Sequence, residues 1–133
     1  MKTLLLFCVL GAATAAAADK KFELRGDAAK GEKIYRTYCI LCHGERGDGT
    51  GHIGRGLSTK PVNFTDPKIS QHLDGEFVYR LVKDGAEAHG RTVLMIPWAG
   101  VLKDQEIRDV SAWTLKLVSN ARLDAGVAAP KKP

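Results

Sequence analysis

Residues 38–49 read "YCILCHGERGDG", with two cysteines three positions apart and a histidine directly after the second. At the end of a helix, positions i, i+3 and i+4 lie on one side, so Cys39, Cys42 and His43 can all face one flat ligand. The C-x-x-C-H spacing is the attachment signal for c-type haem, in which each thiol binds one porphyrin vinyl group and the imidazole reaches the iron. The stretch therefore predicts one haem c, bound covalently through both cysteines, with His43 as an iron ligand.

Other uses of the cysteine pair fit the surrounding sequence less well. A structural zinc site needs four ligands, and the remaining histidines do not have finger-like spacing. A thioredoxin-type redox pair follows a strand of a βαβ unit, and no strand pattern precedes Cys39. A disulfide between cysteines this close would constrain the unfolded chain little. Haem attachment is the reading that the whole pattern favours.

The first eighteen residues, "MKTLLLFCVLGAATAAAA", have the pattern of a secretory signal peptide: one lysine, a short apolar block, and small residues before a cleavage site. The apolar block is shorter than the ~20 residues that a membrane-spanning helix needs. We therefore expect residues 1–18 to be removed, Cys8 with them, and the mature protein to start near Asp19. This predicts a periplasmic protein with no membrane span after cleavage.

Charge indicates the kind of partner. The chain of 133 residues has a net charge of +5, and removal of Lys2 with the signal leaves 19 Lys and Arg against 15 Asp and Glu, a net of +4. The positive residues are scattered and form no stripe, which favours docking on acidic protein surfaces over nucleic acid. We expect a monomer that meets redox proteins as donor and acceptor.

Hydrophobic periodicity predicts an all-α domain over residues 27–119 with three main helices. A polar N-terminal extension over residues 19–26 precedes it, and a disordered tail over residues 120–133 follows it. Six glycines over residues 44–56 and two prolines over residues 57–67 predict a long loop. So much irregular chain in a small domain suggests that a non-protein group replaces part of the side-chain core.

The ends of the three helices are predicted from capping residues. Asp27 is expected to start the first helix, which runs to about Cys39. Asp74 is expected to start the second helix, and Gly85 to end it. The third helix is expected from Asp104 to about Asn120.

The iron needs a second axial ligand unless it keeps an open site. Met95 is the only methionine beyond the signal, and it stands in "LMIPWAG", where Pro97 can fix the backbone that presents the sulfur. We therefore expect Met95 to be the sixth ligand. His89 is the main alternative, and His52 and His72 are expected to be solvated loop residues.

With these motifs the chain resembles class I cytochromes c over about residues 27–119. The resemblance rests on the "CHGxxGxG" pattern after the attachment site, on Met95-Ile96-Pro97-Trp98, and on Trp113 in the last helix. It implies a cytochrome c fold, with three main helices and long loops wrapped around one covalently bound haem. It also implies that Trp98 lies near a haem propionate.

The resemblance also implies that the first and last helices cross where Gly31 allows close approach, with Tyr35 and Trp113 beside it. Two positions depart from the family pattern. Thr50 stands where relatives often have proline, so the carbonyl that orients His43 is expected from Pro61 or the glycine loop. Lys103 replaces the usual Ser or Thr before the last helix, and Asp104 is expected to cap that helix instead.

Histidine and methionine together would fill both axial positions and leave no site open for a substrate. The sequence therefore predicts a monohaem electron carrier and not an enzyme. Two alternatives stay open. One is a haem-based sensor or peroxidase-like enzyme with a labile sixth ligand, and the other is a cytochrome subunit of a larger oxidoreductase.

Overall fold

The computed structural model describes residues 21–126, and that part of the chain folds into helices and loops without strands. The α-helices are α1 Ala28–Tyr38, α2 Ile40–His43, α3 Pro67–Ser70, α4 Gly75–Asp84 and α5 Asp104–Asp124, with 3₁₀ turns at Gly54–Gly56 and Glu87–His89. The predicted all-α class is confirmed. No helix within residues 21–126 is long and apolar enough to cross a membrane. The predicted signal peptide, residues 19–20 of the extension and residues 127–133 of the tail lie outside the described residues.

Local capping determines where α1 and α4 begin. The Asp27 carboxylate accepts hydrogen bonds from the N–H groups of Ala29 and Lys30, at 2.9 and 3.3 Å. The Asp74 carboxylate accepts from the third N–H of α4 at 2.8 Å, and Gly85 ends that helix. These side chains satisfy N–H groups that have no partner inside the helix. The predicted starts of both helices are confirmed, as is the end of α4.

The predicted cap of α5 is wrong. Lys103 is the N-cap residue, and its N–H donates to the Glu106 carboxylate at 2.8 Å. Asp104 is the first helical residue, and its carboxylate accepts from the Tyr79 hydroxyl and, at 2.7 Å, from the Arg108 guanidinium. These hydrogen bonds hold the pKa of Asp104 below its ordinary value, with the Tyr79 contact as the largest cause. Asp104 thus links α4 to α5 instead of capping a helix.

The C-terminal end of α5 also differs from the prediction. The helix continues past Asn120 to Asp124, so the disordered tail predicted over residues 120–133 is wrong for its first five residues. The last turn is anchored because the Arg122 side chain is buried against Ser70. The short helices α2 and α3 were not predicted, since four residues are too few to show a helical period.

The crossing of α1 and α5 organises the core. Gly31 lies against the backbone of Asp109, and a Cβ atom at Gly31 would overlap the Asp109 carbonyl oxygen. Tyr35, one turn later, is 2% exposed and packs in the same core as Ile107 and Val110. The close approach that the family resemblance implied at Gly31 is therefore present.

The N-terminal extension packs along α4 and α5 over its described residues. The Phe22 ring lies 5.2 Å from the Tyr79 ring, centroid to centroid. The Glu23 carbonyl accepts from the Arg108 guanidinium at 3.2 Å, and the Arg25 carbonyl accepts from Gln105 at 2.9 Å. Residues 22–25 thus cover the outer side of the junction between α4 and α5.

We predict that Gly31→Ala lowers the free energy of unfolding by about 1–3 kcal/mol, because the added methyl group overpacks the helix crossing. Alanine is the better helix former by about 1 kcal/mol, so a net loss would mean that the clash exceeds this gain. Denaturant titration measures the change. Gly100→Ala is the control, since no atom lies within 4 Å of a Cβ at Gly100. Equal effects of the two substitutions would contradict the role given to the crossing.

Candidate functional site

The cysteine motif forms one tight turn between α1 and α2. Cys39 lies at the junction of the two helices, and its carbonyl accepts from the N–H of Cys42 at 3.2 Å and of His43 at 2.9 Å. Both cysteines are half-buried and free of disulfide bonds. Burial, and to a smaller extent the neighbouring Cys42, raises the pKa of the Cys39 thiol to about 12. Cys39 is therefore a neutral thiol at neutral pH, unlike the activated thiolate of a redox enzyme.

The turn is held from both sides by hydrogen bonds. The buried Tyr35 hydroxyl donates to the Gly44 carbonyl at 2.8 Å. The N–H of Gly49 donates to the His43 carbonyl at 2.9 Å. Gly44 has a φ of +80°, a conformation that residues with a Cβ rarely adopt, which explains why glycine directly follows His43. Together these contacts fix where the His43 backbone lies.

A cavity of about 490 Å³ opens next to this turn. Cys39, His43 and Met95 all lie on its wall, although Met95 is far from the other two in sequence. The remaining wall is mainly apolar and is formed by Tyr35, Val62, Phe64, Lys68, Ile69, His72, Leu73, Phe77, Val78, Leu81, Val82, Arg91, Val110 and Thr114. The volume lies within the 300–1,000 Å³ that ligand pockets of proteins occupy.

Met95 reaches this cavity because its loop is tied to the end of α4. The Met95 carbonyl accepts from the Ala86 N–H at 3.0 Å, and the Trp98 N–H donates to the Val82 carbonyl at 3.1 Å. Gly85 packs closely against Pro97 between these two bonds. The loop is therefore fixed by backbone contacts at Met95 itself and at Pro97 and Trp98 directly after it.

His43 is half-buried, and its ring stacks on Phe64, with ring centroids 5.2 Å apart and planes 11° apart. Burial lowers its pKa below the ordinary value, and a hydrogen-bond interaction with the Val62 backbone opposes this to a smaller extent. Nδ1 itself has no partner of good hydrogen-bond geometry. The carbonyl that orients His43, expected from Pro61 or the glycine loop, stays a prediction. The neutral imidazole is the form that can bind a metal.

The other predicted site residues lie outside the cavity wall. Cys42 is half-buried one turn from Cys39 and does not line the cavity. Trp98 is half-buried and packs beside Tyr38, with ring centroids 5.4 Å apart. A role of Trp98 at a haem propionate stays a prediction.

Of the other three histidines, one borders the cavity and two do not. His89, the expected alternative ligand, is half-buried beside Phe77 with a ring distance of 6.2 Å, and it is not on the cavity wall. His72, expected to be a solvated loop residue, is exposed and also borders the cavity. His52 is exposed, as expected.

Two cationic side chains on the cavity wall were not predicted as site residues. Lys68 comes from α3 and Arg91 from the loop before Met95. The Arg91 guanidinium lies 5.4 Å from the centre of the Phe77 ring. Lys68 carries no recognisable signal in the sequence, because α3 is too short to be detected by periodicity.

The donor set fits a haem of the c type. A sulfur and an imidazole nitrogen, supplied by separate segments, border one apolar space, and the free thiol of Cys39 lies beside them. Methionine sulfur and histidine nitrogen are the axial ligands found in cytochromes c.

A family model described as cytochrome C oxidase, cbb3-type, subunit III matches residues 26–113 of this chain. The chain is 32% identical over 88 residues to cytochrome c-554(548) of Halomonas halodenitrificans. The aligned region covers 66% of this chain and 93% of that protein. It is 34% identical over 91 residues to the cbb3-type cytochrome c oxidase subunit FixP of Bradyrhizobium diazoefficiens. That aligned region covers 68% of this chain and 28% of the FixP protein.

Among solved structures, a chain of the Kuenenia stuttgartiensis reducing HAO-like protein complex Kustc0457/Kustc0458 is similar, with a TM-score of 0.53 and 29% sequence identity. The similarity covers 68% of this chain and 41% of that chain. The chain therefore spans nearly all of one small relative and less than half of two larger proteins.

Proposed function

Because this chain belongs to the family of c-type cytochrome domains described as cytochrome C oxidase, cbb3-type, subunit III, and is an electron-carrying cytochrome, we propose how it holds its haem. One haem is bound covalently through Cys39 and Cys42, with His43 and Met95 as axial ligands. The observation that carries the proposal is the apolar cavity whose wall includes Cys39, His43 and Met95.

The two proposed axial ligands suit electron transfer. Haem supplies an iron that changes reversibly between the ferrous and ferric states. Met95, a weak thioether donor, favours the ferrous state, and the apolar wall disfavours the extra charge of the ferric state, so both raise the reduction potential. Since His43 and Met95 occupy both axial positions, the chain leaves no iron position for a substrate.

The proposal includes export to the periplasm, because residues 1–18 have the pattern of a signal peptide. In that compartment the chain would take single electrons from one redox protein and pass them to another. The comparison with longer proteins supports a second candidate, a cytochrome subunit of a larger oxidoreductase. Co-purification of a larger complex from the native organism would distinguish this candidate from a free carrier.

We further propose a docking face for acidic redox partners next to Cys42. The loop after the glycine turn packs on the motif, since Gly51 lies against the Leu41 carbonyl and Gly54 against the Cys42 carbonyl. This brings the exposed side chains of Ile53 and Leu41 together at the surface. Exposed apolar groups beside a cofactor are typical of transient protein contacts.

Charge supports the same face. Residues 49–65 contain no aspartate or glutamate, and Arg55 and Lys60 are exposed within them. Neither forms an ion pair with any residue of the described range. Unpaired cations around an apolar centre attract acidic surfaces and speed association. The docking face therefore consists of Leu41, Ile53, Arg55 and Lys60.

We predict that the purified mature protein starts near Asp19 and is heavier than its polypeptide by one haem. Sharp α and β absorption bands should appear on reduction, and a weak sulfur-to-iron charge-transfer band should accompany the oxidised form. Mass spectrometry and visible absorption measure these properties. A folded but colourless protein from a host able to mature cytochromes would overturn the haem proposal. Rapid binding of carbon monoxide by the reduced wild type would favour a sensor or peroxidase-like enzyme.

We predict that Met95→Ala lowers the reduction potential by at least roughly 0.1 V, against the ~0.8 V that axial ligands span across haem proteins. The reason is the loss of the thioether that favours ferrous iron. The charge-transfer band should disappear, and reduced protein should then bind carbon monoxide. Leu94→Ala is the control, because Leu94 is exposed and does not border the cavity. An unchanged potential in Met95→Ala would refute the ligand assignment.

We predict that the double variant Arg55→Glu, Lys60→Glu slows oxidation of the reduced protein by anionic hexacyanoferrate(III) on the order of tenfold at low salt. High salt should remove the difference, because it screens exposed charges. Stopped-flow absorption measures the rates. The control Arg25→Glu, Lys30→Glu changes the net charge equally near the start of α1, away from the cysteine turn. Equal slowing in both double variants would mean that only net charge matters, and the docking face would be wrong.

A further inference from the structure

The helix α3 is a small and dependent part of the cavity wall. It has four residues, and it begins at the Asp66 cap, whose carboxylate accepts from the Lys68 N–H at 2.9 Å. Isolated helices of this length are not stable in water. Nevertheless α3 and the turn after it supply Lys68, Ile69, His72 and Leu73 to the cavity wall. Something outside α3 must hold this part of the wall in place.

Arg122 makes the contact that can do so. Its guanidinium donates through Nη2 to the Ser70 carbonyl, and its Nε lies 3.4 Å from the Ser70 hydroxyl oxygen. Arg122 is 8% exposed and Ser70 is 1% exposed, so water does not compete for these groups. Ser70 is the last residue of α3, so these contacts hold the C-terminal end of that helix.

The burial of Arg122 needs an explanation, because a charged group is costly to remove from water unless it is paired. Arg122 forms no ion pair with a carboxylate inside the described range. Its two acceptors on Ser70 are the polar partners that the structure gives it. Arg122 also lies beyond residues 26–113, the segment that the family model matches. The family match therefore does not account for this contact.

We propose that Arg122 is a positioning residue that clamps α3 against α5 and so keeps the cavity wall closed. The inference rests on the proposed function, in which this cavity holds the haem. Without the clamp, the segment from Lys68 to Leu73 would open more often to water. Access of water favours the more highly charged ferric state, so the reduction potential would fall. Arg122 would thus influence the potential through α3, without contact to either axial ligand.

The experiment compares Arg122→Met, Arg122→Lys and Ser70→Ala as holoproteins. Hydrogen exchange is measured at the amides of Ser70 and Leu73, which donate within α3 and its turn at 2.8 and 3.1 Å. The reduction potential is measured on the same samples. Lys116→Met is the matched control, because it removes an equal charge from an exposed position on α5.

In Arg122→Met we expect exchange at these two amides to accelerate about tenfold or more, because a buried charged hydrogen bond is lost. The potential should fall as well. Ser70→Ala should act in the same direction to a smaller extent, since it removes one acceptor, and Arg122→Lys should retain part of both properties. Lys116→Met should leave exchange and potential close to wild type.

The proposal is overturned if exchange at Ser70 and Leu73 is unchanged in Arg122→Met and Ser70→Ala. It is also overturned if the potential falls without faster exchange, since the cause would then be the lost charge alone. If Arg122→Met does not accumulate as holoprotein, Ser70→Ala and Arg122→Lys decide by the same two measurements. A wild-type protein without haem would refute the proposed function, and this result is visible before any variant is made.

Discussion

The close crossing of α1 and α5 at Gly31 is the contact on which the rest of the fold depends. The carboxylate of Asp109, buried in α5, accepts from the N–H of Asp27 at 2.8 Å and from the Gln105 side chain at 2.8 Å. The start of α1 is therefore tied to α5 by a hydrogen bond as well as by packing. Since α1 ends at the cysteine turn, this single crossing determines where Cys39 and His43 face the core.

The cavity explains why the side-chain core of this domain is small. The buried apolar residues gather around the helix crossing and along α4, and the cavity lies between the cysteine turn and Met95. A domain of this size has little apolar surface to bury, and a bound group that fills such a cavity adds to the stability of the folded state.

Local signals in the sequence were enough to predict much of this arrangement. The caps at Asp27 and Asp74 depend on neighbouring residues only, and both were predicted correctly. Asp104 was wrongly predicted as the cap of α5 because Lys103 occupies that position, where its N–H donates to the Glu106 carboxylate one turn later. The end of α5 could not be predicted, because the partner of Arg122 lies about fifty residues earlier in the chain.

The two proposed iron ligands are held by different kinds of constraint, and this has a consequence for function. His43 belongs to a continuous motif whose turn is closed by local bonds to Gly44 and Gly49. Met95 depends on a loop that two backbone bonds attach to the end of α4. Changes in that loop can therefore alter the position of Met95 on the cavity wall while the helix crossing stays intact. The fold and the position of His43 then remain constant, and the position of Met95 is where the reduction potential can be adjusted.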